Sequence, residues 1–317
     1  MKTSKYLWEL LRFRRGLYLL NLGSIILVLL LELTPGFVAR AYFDWLSGEA
    51  QVSIGVWGLA ALVVMSAVGK VVFSYGCGLT NIPFMLETGG LMRKNLLARI
   101  LDNPGARAVP ESTGEALNRF RDDTDEIVGS FMWFNDLVAF SLFAVVGIVI
   151  MLRINVFITL AVIVPLVIVV AAANMVGRRL EENRKTSRTA TGGVTGFLGE
   201  VLGAVQAVQV AGAEEQVTAH FHKLSEARRV AGVKDRLFNE LLESVFHNTT
   251  NIGTGLVLLL GSQAIRAGDF TVGDFALFVY FLGTITTFTG LVGAFTAHYK
   301  QMGVSFDRMV GLLQGAP

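Results

Sequence analysis

The chain has 317 residues, 53% hydrophobic and only 16% charged, with a mean hydropathy of +0.56. A water-soluble domain could not cover itself with so little polar surface, so the length reads as several bilayer-spanning helices of roughly 20 residues each. A net charge of +2 offers no basic surface for nucleic acid, and a single cysteine, Cys77, excludes an internal disulfide and a Cys-based metal site.

At the start of the chain Tyr6, Leu7, Trp8, Leu10, Leu11 and Phe13 alternate with Lys5, Arg12, Arg14 and Arg15. Over residues 1–16 this pattern suits a helix lying in the headgroup plane, with a frayed basic leader as the alternative. Long runs with few or no charges then predict six spans, at about 17–39, 52–76, 130–152, 154–177, 244–265 and 274–299. The first is too long for the apolar core of a signal peptide and is expected to stay in the mature protein. Pro35-Gly36 is expected to open a loop at its end.

Positive charge sets the orientation. Of 27 Lys and Arg residues, five precede span 1, six lie between spans 2 and 3, ten lie between spans 4 and 5, and two follow span 6. The opposite side holds only Arg40, Arg153 and Arg266, which places both termini in the cytoplasm. The outer connections are short, including a turn at Arg153-Ile154-Asn155, whereas the inner ones cover about 77–129 and 178–243. Leu91, Leu96, Leu97, Ile100 and Leu101 recur at helical spacing, as do Val201, Leu202, Val205, Val208 and Val210. Each inner loop therefore reads as two antiparallel helical arms, carrying a tip roughly 35 to 40 Å beyond the membrane at 1.5 Å per residue.

At those tips the residues resemble a family, the transmembrane domains of ATP-binding-cassette (ABC) exporters. Thr113 to Asp125 (TGEALNRFRDDTD) is similar to the family stretch that forms the first coupling helix, and Glu200 to Glu214 (EVLGAVQAVQVAGAE) to the segment holding the second. Gly268 to Phe275 (GDFTVGDF) resembles the turn before span 6, and Ser305 to Leu313 (SFDRMVGLL) the tail leading towards a nucleotide-binding domain. Each motif alone is weak; four in order on one topology are specific. Departures are mild: Gln209 stands where a basic residue is common, Ala204 where glycine is usual, Phe120 for leucine and Asn118 for serine.

The resemblance implies an all-α membrane protein of six long transmembrane helices with two helical cytoplasmic extensions carrying coupling helices. Residues 17–304 would form that domain and residues 305–317 a linker towards a motor. No G-x-x-x-x-G-K-[ST] phosphate loop and no Walker B strand occurs in the sequence, so ATP hydrolysis is expected only with a fused or separate nucleotide-binding domain, which would hold ATP and Mg. Expected partners are a second transmembrane domain, identical or different, two nucleotide-binding domains, the bilayer, and a small-molecule, lipid or peptide substrate, in a bacterial plasma membrane. A motor-free pore, an ion-coupled carrier or a membrane scaffold are the rival readings.

For docking to the motor the resemblance points to Glu115, Leu117, Asn118 and Phe120 in the first tip and to Gln206, Ala207, Gln209 and Val210 in the second. The alternative is that they only cap and pack the arm turns. Charged groups within spans mark functional positions because burial costs several kcal/mol unless they are paired or hydrated. Glu32, Lys70 and Asp136 are such groups, Glu32 and Asp136 with an interfacial alternative and Lys70 with an acid partner as its alternative. His247, Asn248 and Asn251 share one face of span 5, lining a route or bonding between helices. Gly192, Gly196, Gly199 and Gly203 read as close arm packing or a bend at the tip, and Pro165 as a kink in span 4.

Overall fold

The computed structural model describes residues 3–49, 54–102 and 113–313, and these are helical with no strand among them. In chain order the helices are α1 (Thr3–Phe13), α2 (Arg15–Leu31), α3 (Leu33–Leu46), α4 (Gly55–Asp102), α5 (Thr113–Asn118), a π-helical turn (Arg119–Asp123), α6 (Thr124–Ile154), α7 (Val156–Gly203), α8 (Val205–Val210), α9 (Glu214–Ala267) and α10 (Val272–Leu313). Among the described residues four stretches are long and apolar enough to cross a membrane: Arg15–Leu46, Gly55–Asp102, Ala116–Ile154 and Val272–Val310. A shorter apolar stretch, Val156–Val169, opens α7. The chain divides into two compact units, Met1–Ala161 with Thr254–Pro317, and Val162–Gly253.

In the first unit α2, α4, α6 and α10 pack side by side, with α3 against α10 and α4. Pro35-Gly36 does not open a loop, contrary to expectation. The first span breaks at Glu32, whose N–H is shared between the carbonyls of Val28 (3.3 Å) and Leu29 (3.2 Å), and the helix resumes as α3 as far as Leu46. Pro35 falls in the first turn of α3, where its missing N–H is not needed. Gly36 is buried, and a Cβ there would stand 2.7 Å from the Phe281 ring, so the glycine serves close approach of α3 to α10. Proline followed by glycine signals a turn in isolation; here the pair starts a helix and lets another touch it.

Two apolar layers hold this unit. In one, the Phe281 ring meets Phe143 and Phe37 edge to face at 5.9 Å each. In the other, Leu7 and Leu10 of α1 join Phe84, Met92, Leu96, Ile127, Phe131 and, from the end of α10, Met302, Phe306 and Met309. Thus α1 buries one face against the helices, while Trp8 on its other face is 64% exposed, in the manner of an interfacial anchor. Phe306 and Met309 explain the apolar spacing of the tail motif: both are knobs in this core, and Arg308 between them lies 3.7 Å from Asp123 at the foot of α6.

The expected turn at residues 153–155 is present. Asn155 leaves the helix with φ −152° and ψ 111°, and its Oδ1 accepts the N–H of Ile158 at 3.0 Å, capping α7. In the second unit α7 and α9 meet through Arg184 Nη2 donating to Asn239 Oδ1 at 2.9 Å and through Phe197 against His220 at 4.9 Å. Arg229 grips Glu226 with two bonds of 2.8 and 2.6 Å, which holds that exposed carboxyl below its ordinary range. A Cβ on Gly192, Gly196, Gly199 or Gly203 would meet nothing within 4 Å, so this stripe makes no close packing contact among the described residues. The helix instead ends at Gly203, in keeping with a bend there.

Candidate functional site

The short helix α8 lies between two very long ones, α7 with 48 residues and α9 with 54. Ala204 breaks the backbone at φ −133° and ψ 27° before it. Behind it, the Gly212 N–H donates to the Gln209 carbonyl (3.2 Å) and the Ala213 N–H to the Val208 carbonyl (3.1 Å), a Schellman closure that requires the φ of +61° Gly212 supplies. Gln206, Ala207, Gln209 and Val210 are all exposed, Val210 at 90%. The first tip divides its residues differently. Leu117 and Asn118 are exposed, whereas Phe120 packs on the inner core and its carbonyl accepts from Arg93 Nε at 2.9 Å. The Glu115 side chain lies outside the described residues, although its backbone belongs to α5.

Glu32 and Lys70 come together. Lys70 Nζ is 2.7 Å from Glu32 Oε2, and the Tyr280 hydroxyl of α10 donates to Glu32 Oε1, also at 2.7 Å. The break between α2 and α3 thus carries a carboxylate with both oxygens engaged by two other helices. Nothing in the sequence pairs Tyr280 with Glu32, which lie 248 positions apart.

Asp136 lines a cavity of about 180 Å³ between α2, α4 and α6. Beside it runs a chain of amides that the sequence reading passed over. Asn21 Nδ2 donates to the Cys77 carbonyl (3.0 Å) and to Thr80 Oγ1 (3.2 Å), and Asn135 Nδ2 donates to Asn21 Oδ1 at 2.7 Å. Both asparagines stand within or beside charge-free runs, and an unpaired amide in such a run was the available signal. Asn248 and Asn251 are exposed in the second unit, where Asn248 Nδ2 donates to the Ser244 carbonyl (2.8 Å) and Asn251 Nδ2 lies 3.5 Å from Asn248 Oδ1. The His247 side chain lies outside the described residues.

The GDFTVGDF turn between α9 and α10 is a capping device. Gly268, at φ +79°, closes α9, with its N–H on the Ile265 carbonyl (3.1 Å) and that of Asp269 on the Ala264 carbonyl (3.0 Å). Thr271 and Asp274 then form a reciprocal box: the Asp274 N–H donates to Thr271 Oγ1 (2.9 Å) and the Thr271 N–H to Asp274 Oδ2 (3.1 Å). Arg40 Nε stands 2.7 Å from Asp274 Oδ1, and the Gly273 N–H donates to Asp44 Oδ1 at 3.0 Å, fastening α10 to α3.

The family model of the ABC transporter transmembrane region matches residues 19–288. The chain belongs to that family. This ABC transporter transmembrane region is also 27% identical, over 236 residues, to the ATP-dependent permease MDL1, mitochondrial, of Schizosaccharomyces pombe; the match covers 71% of this chain and 31% of that protein. The chain therefore spans less than a third of the curated relative it matches. The match to the ABC transporter transmembrane region runs from α2 into α10 and includes the capped turn, the Glu32 break and both tips.

Proposed function

We propose that this chain forms the translocation pathway of an ATP-driven exporter and that its two tips couple it to nucleotide-binding domains carried elsewhere. In this reading α7 and α9 supply the fourth and fifth spans, giving six, and the chain works as a pair of such domains, alike or different, with two motor domains holding ATP and Mg. The Lys and Arg distribution supports cytoplasmic termini and cytoplasmic tips, and the compactness of the chain suits a bacterial plasma membrane. The substrate class is small-molecule, lipid or peptide.

The observation that carries the proposal is α8. A six-residue helix, stopped on both sides and exposing Gln206, Ala207, Gln209 and Val210 at the end of two long helices, buries none of its residues against the described part of its own chain. It suits a contact that receives force. Leu117 and Asn118 do the same at the first tip, while Phe120 anchors that tip to the core. Force on either tip would travel along rigid helices and bias a two-state opening of the pathway.

Vanadate-sensitive ATP hydrolysis by material purified through this chain from native membranes, with the bands resolved by mass, tests the reading. Activity together with an ATPase band, fused or separate, is the expected result. A folded preparation with neither activity nor an ATPase band would overturn it in favour of a pore or scaffold.

A further inference from the structure

The amide chain of α2, α4 and α6 has a fixed polarity, and that polarity decides what the adjoining cavity can hold. The Cys77 carbonyl can only accept, so Asn21 must turn its Nδ2 towards it and its Oδ1 towards Asn135. Asn135 must then offer its own Nδ2 to Asn21, which leaves Asn135 Oδ1 as the loose end of the chain. That oxygen has no hydrogen-bond partner among the described residues, although Asn135 is only 3% exposed, and an orphaned buried acceptor calls for an explanation. The next residue, Asp136, lines the same cavity and has neither an ion pair nor a hydrogen bond among the described residues. An unpaired carboxylate and an unpaired amide oxygen thus stand side by side within apolar helices. Both are acceptors, and one bears a negative charge.

We infer that this cavity is a subsite for a protonated amine of the transported molecule, an alkylammonium group with Asp136 as its counter-ion and Asn135 as its second acceptor. An ammonium supplies the positive charge and the several N–H donors that these two groups lack, whereas an anion would be repelled by Asp136, even though the Asn81 amide in the same lining could donate to it. Ile25 and Met132 give the cavity apolar walls for the attached carbons. Its volume of about 180 Å³ falls below the roughly 300–1,000 Å³ of pockets that enclose a drug-sized ligand, so it takes a headgroup and leaves the rest of the molecule outside. This deepens the transport reading above and rests on it for the word transported; the binding itself does not.

Cys77 lines the same cavity and is the only cysteine in the sequence, which makes it a reporter. The purified full chain in lipid nanodiscs is treated with a cationic (aminoethyl) and an anionic (sulfonatoethyl) methanethiosulfonate, each rate normalised to that with a small free thiol. The cationic reagent is expected to react at least ten-fold faster, n-butylammonium to slow it several-fold while n-butanol does not, and Asp136→Asn to bring the ratio near one while Asp136→Glu retains it. If Cys77 resists both reagents, the same amine is read by thermal shift: n-butylammonium is expected to raise the Tm in a way that n-butanol does not reproduce and Asp136→Asn abolishes. Equal normalised rates in the wild-type chain, a ratio indifferent to Asp136→Asn, or a Tm indifferent to the amine would each overturn the subsite. Neither readout needs a motor. Charge selectivity without ATPase activity would remove the exporter and leave the subsite, and vanadate-sensitive activity without selectivity would do the reverse.

Discussion

Lys70 Nζ lies 2.7 Å from Glu32 Oε2, joining the first third of α4 to the break between α2 and α3. Each side chain is about 30% exposed in the isolated chain and faces a surrounding with little water once helices of this composition are in a bilayer. Removing one charge leaves the other without its counter-ion, which costs more than removing both. Lys70→Met is therefore expected to destabilise by about 2 kcal/mol or more, and the Glu32→Gln/Lys70→Met pair to recover most of it. Melting temperatures in one detergent read the ranking; a double variant as unstable as the single would refute the pairing as a stabilising contact.

Gly273 packs its Cα face against α3 so closely that a Cβ would run into the Arg40 carbonyl and the Asp44 carboxylate. Gly273→Ala is expected to cost about 2 to 4 kcal/mol, since it both overpacks the contact and displaces a hydrogen bond. Gly232→Ala in α9, where a Cβ would meet nothing within 4 Å, should instead gain about 0.5 to 1 kcal/mol from helix propensity. Opposite signs in thermal unfolding check the pair.

Thr271 caps α10 through its hydroxyl. Thr271→Ala should lower stability by about 1 kcal/mol and Thr271→Ser should not, as only the former deletes the acceptor for the Asp274 N–H. Equal losses in both variants would mean that the methyl group and not the hydroxyl matters.

The coupling role proposed for the two tips can be separated from folding. Val210→Asp and Leu117→Asp alter side chains that are 90% and 64% exposed, so the Tm should stay nearly unchanged while vanadate-sensitive hydrolysis by the assembled complex falls at least ten-fold. Phe120→Ala should do the opposite first, lowering the Tm by loss of a core contact worth about 3 kcal/mol. Unchanged hydrolysis in both exposed-site variants would discount the docking role.

What the sequence made legible follows from what is local. The Arg153-Ile154-Asn155 turn and the GDFTVGDF turn each depend on neighbours within about one helical turn, and each reads correctly from residue order, whereas of the six charge-poor runs four fall in helices long and apolar enough to cross a membrane among the described residues. Pro35-Gly36 misled because its local meaning, a turn, was overridden by a tertiary one, the Phe281 ring lying against Gly36. The facing of Phe120 against Leu117 and the partner of Glu32 on α10 depend on which helices meet, which one chain of letters does not state. Asn21 and Asn135 were hidden for a different reason: charge patterning marks carboxylates and ammoniums but not neutral amides, which cost less to bury than a charge yet still about 2 to 7 kcal/mol when left without a hydrogen bond.

Leu7 and Leu10 share one apolar cluster with Met302, Phe306 and Met309, so the two ends of the described chain are stitched into a single seam. A shortened version starting at the first membrane helix would strip the cover from that seam and present bare methionine and phenylalanine to whatever is nearest. Loss of expression or clumping after such trimming would then be a wound at the far end of the protein, not a missing address label at the near one. The same stitching means that a pull on the tail is felt at once by the helix that begins the chain, so the opening residues are a brace for the last helix as much as a lead into the first.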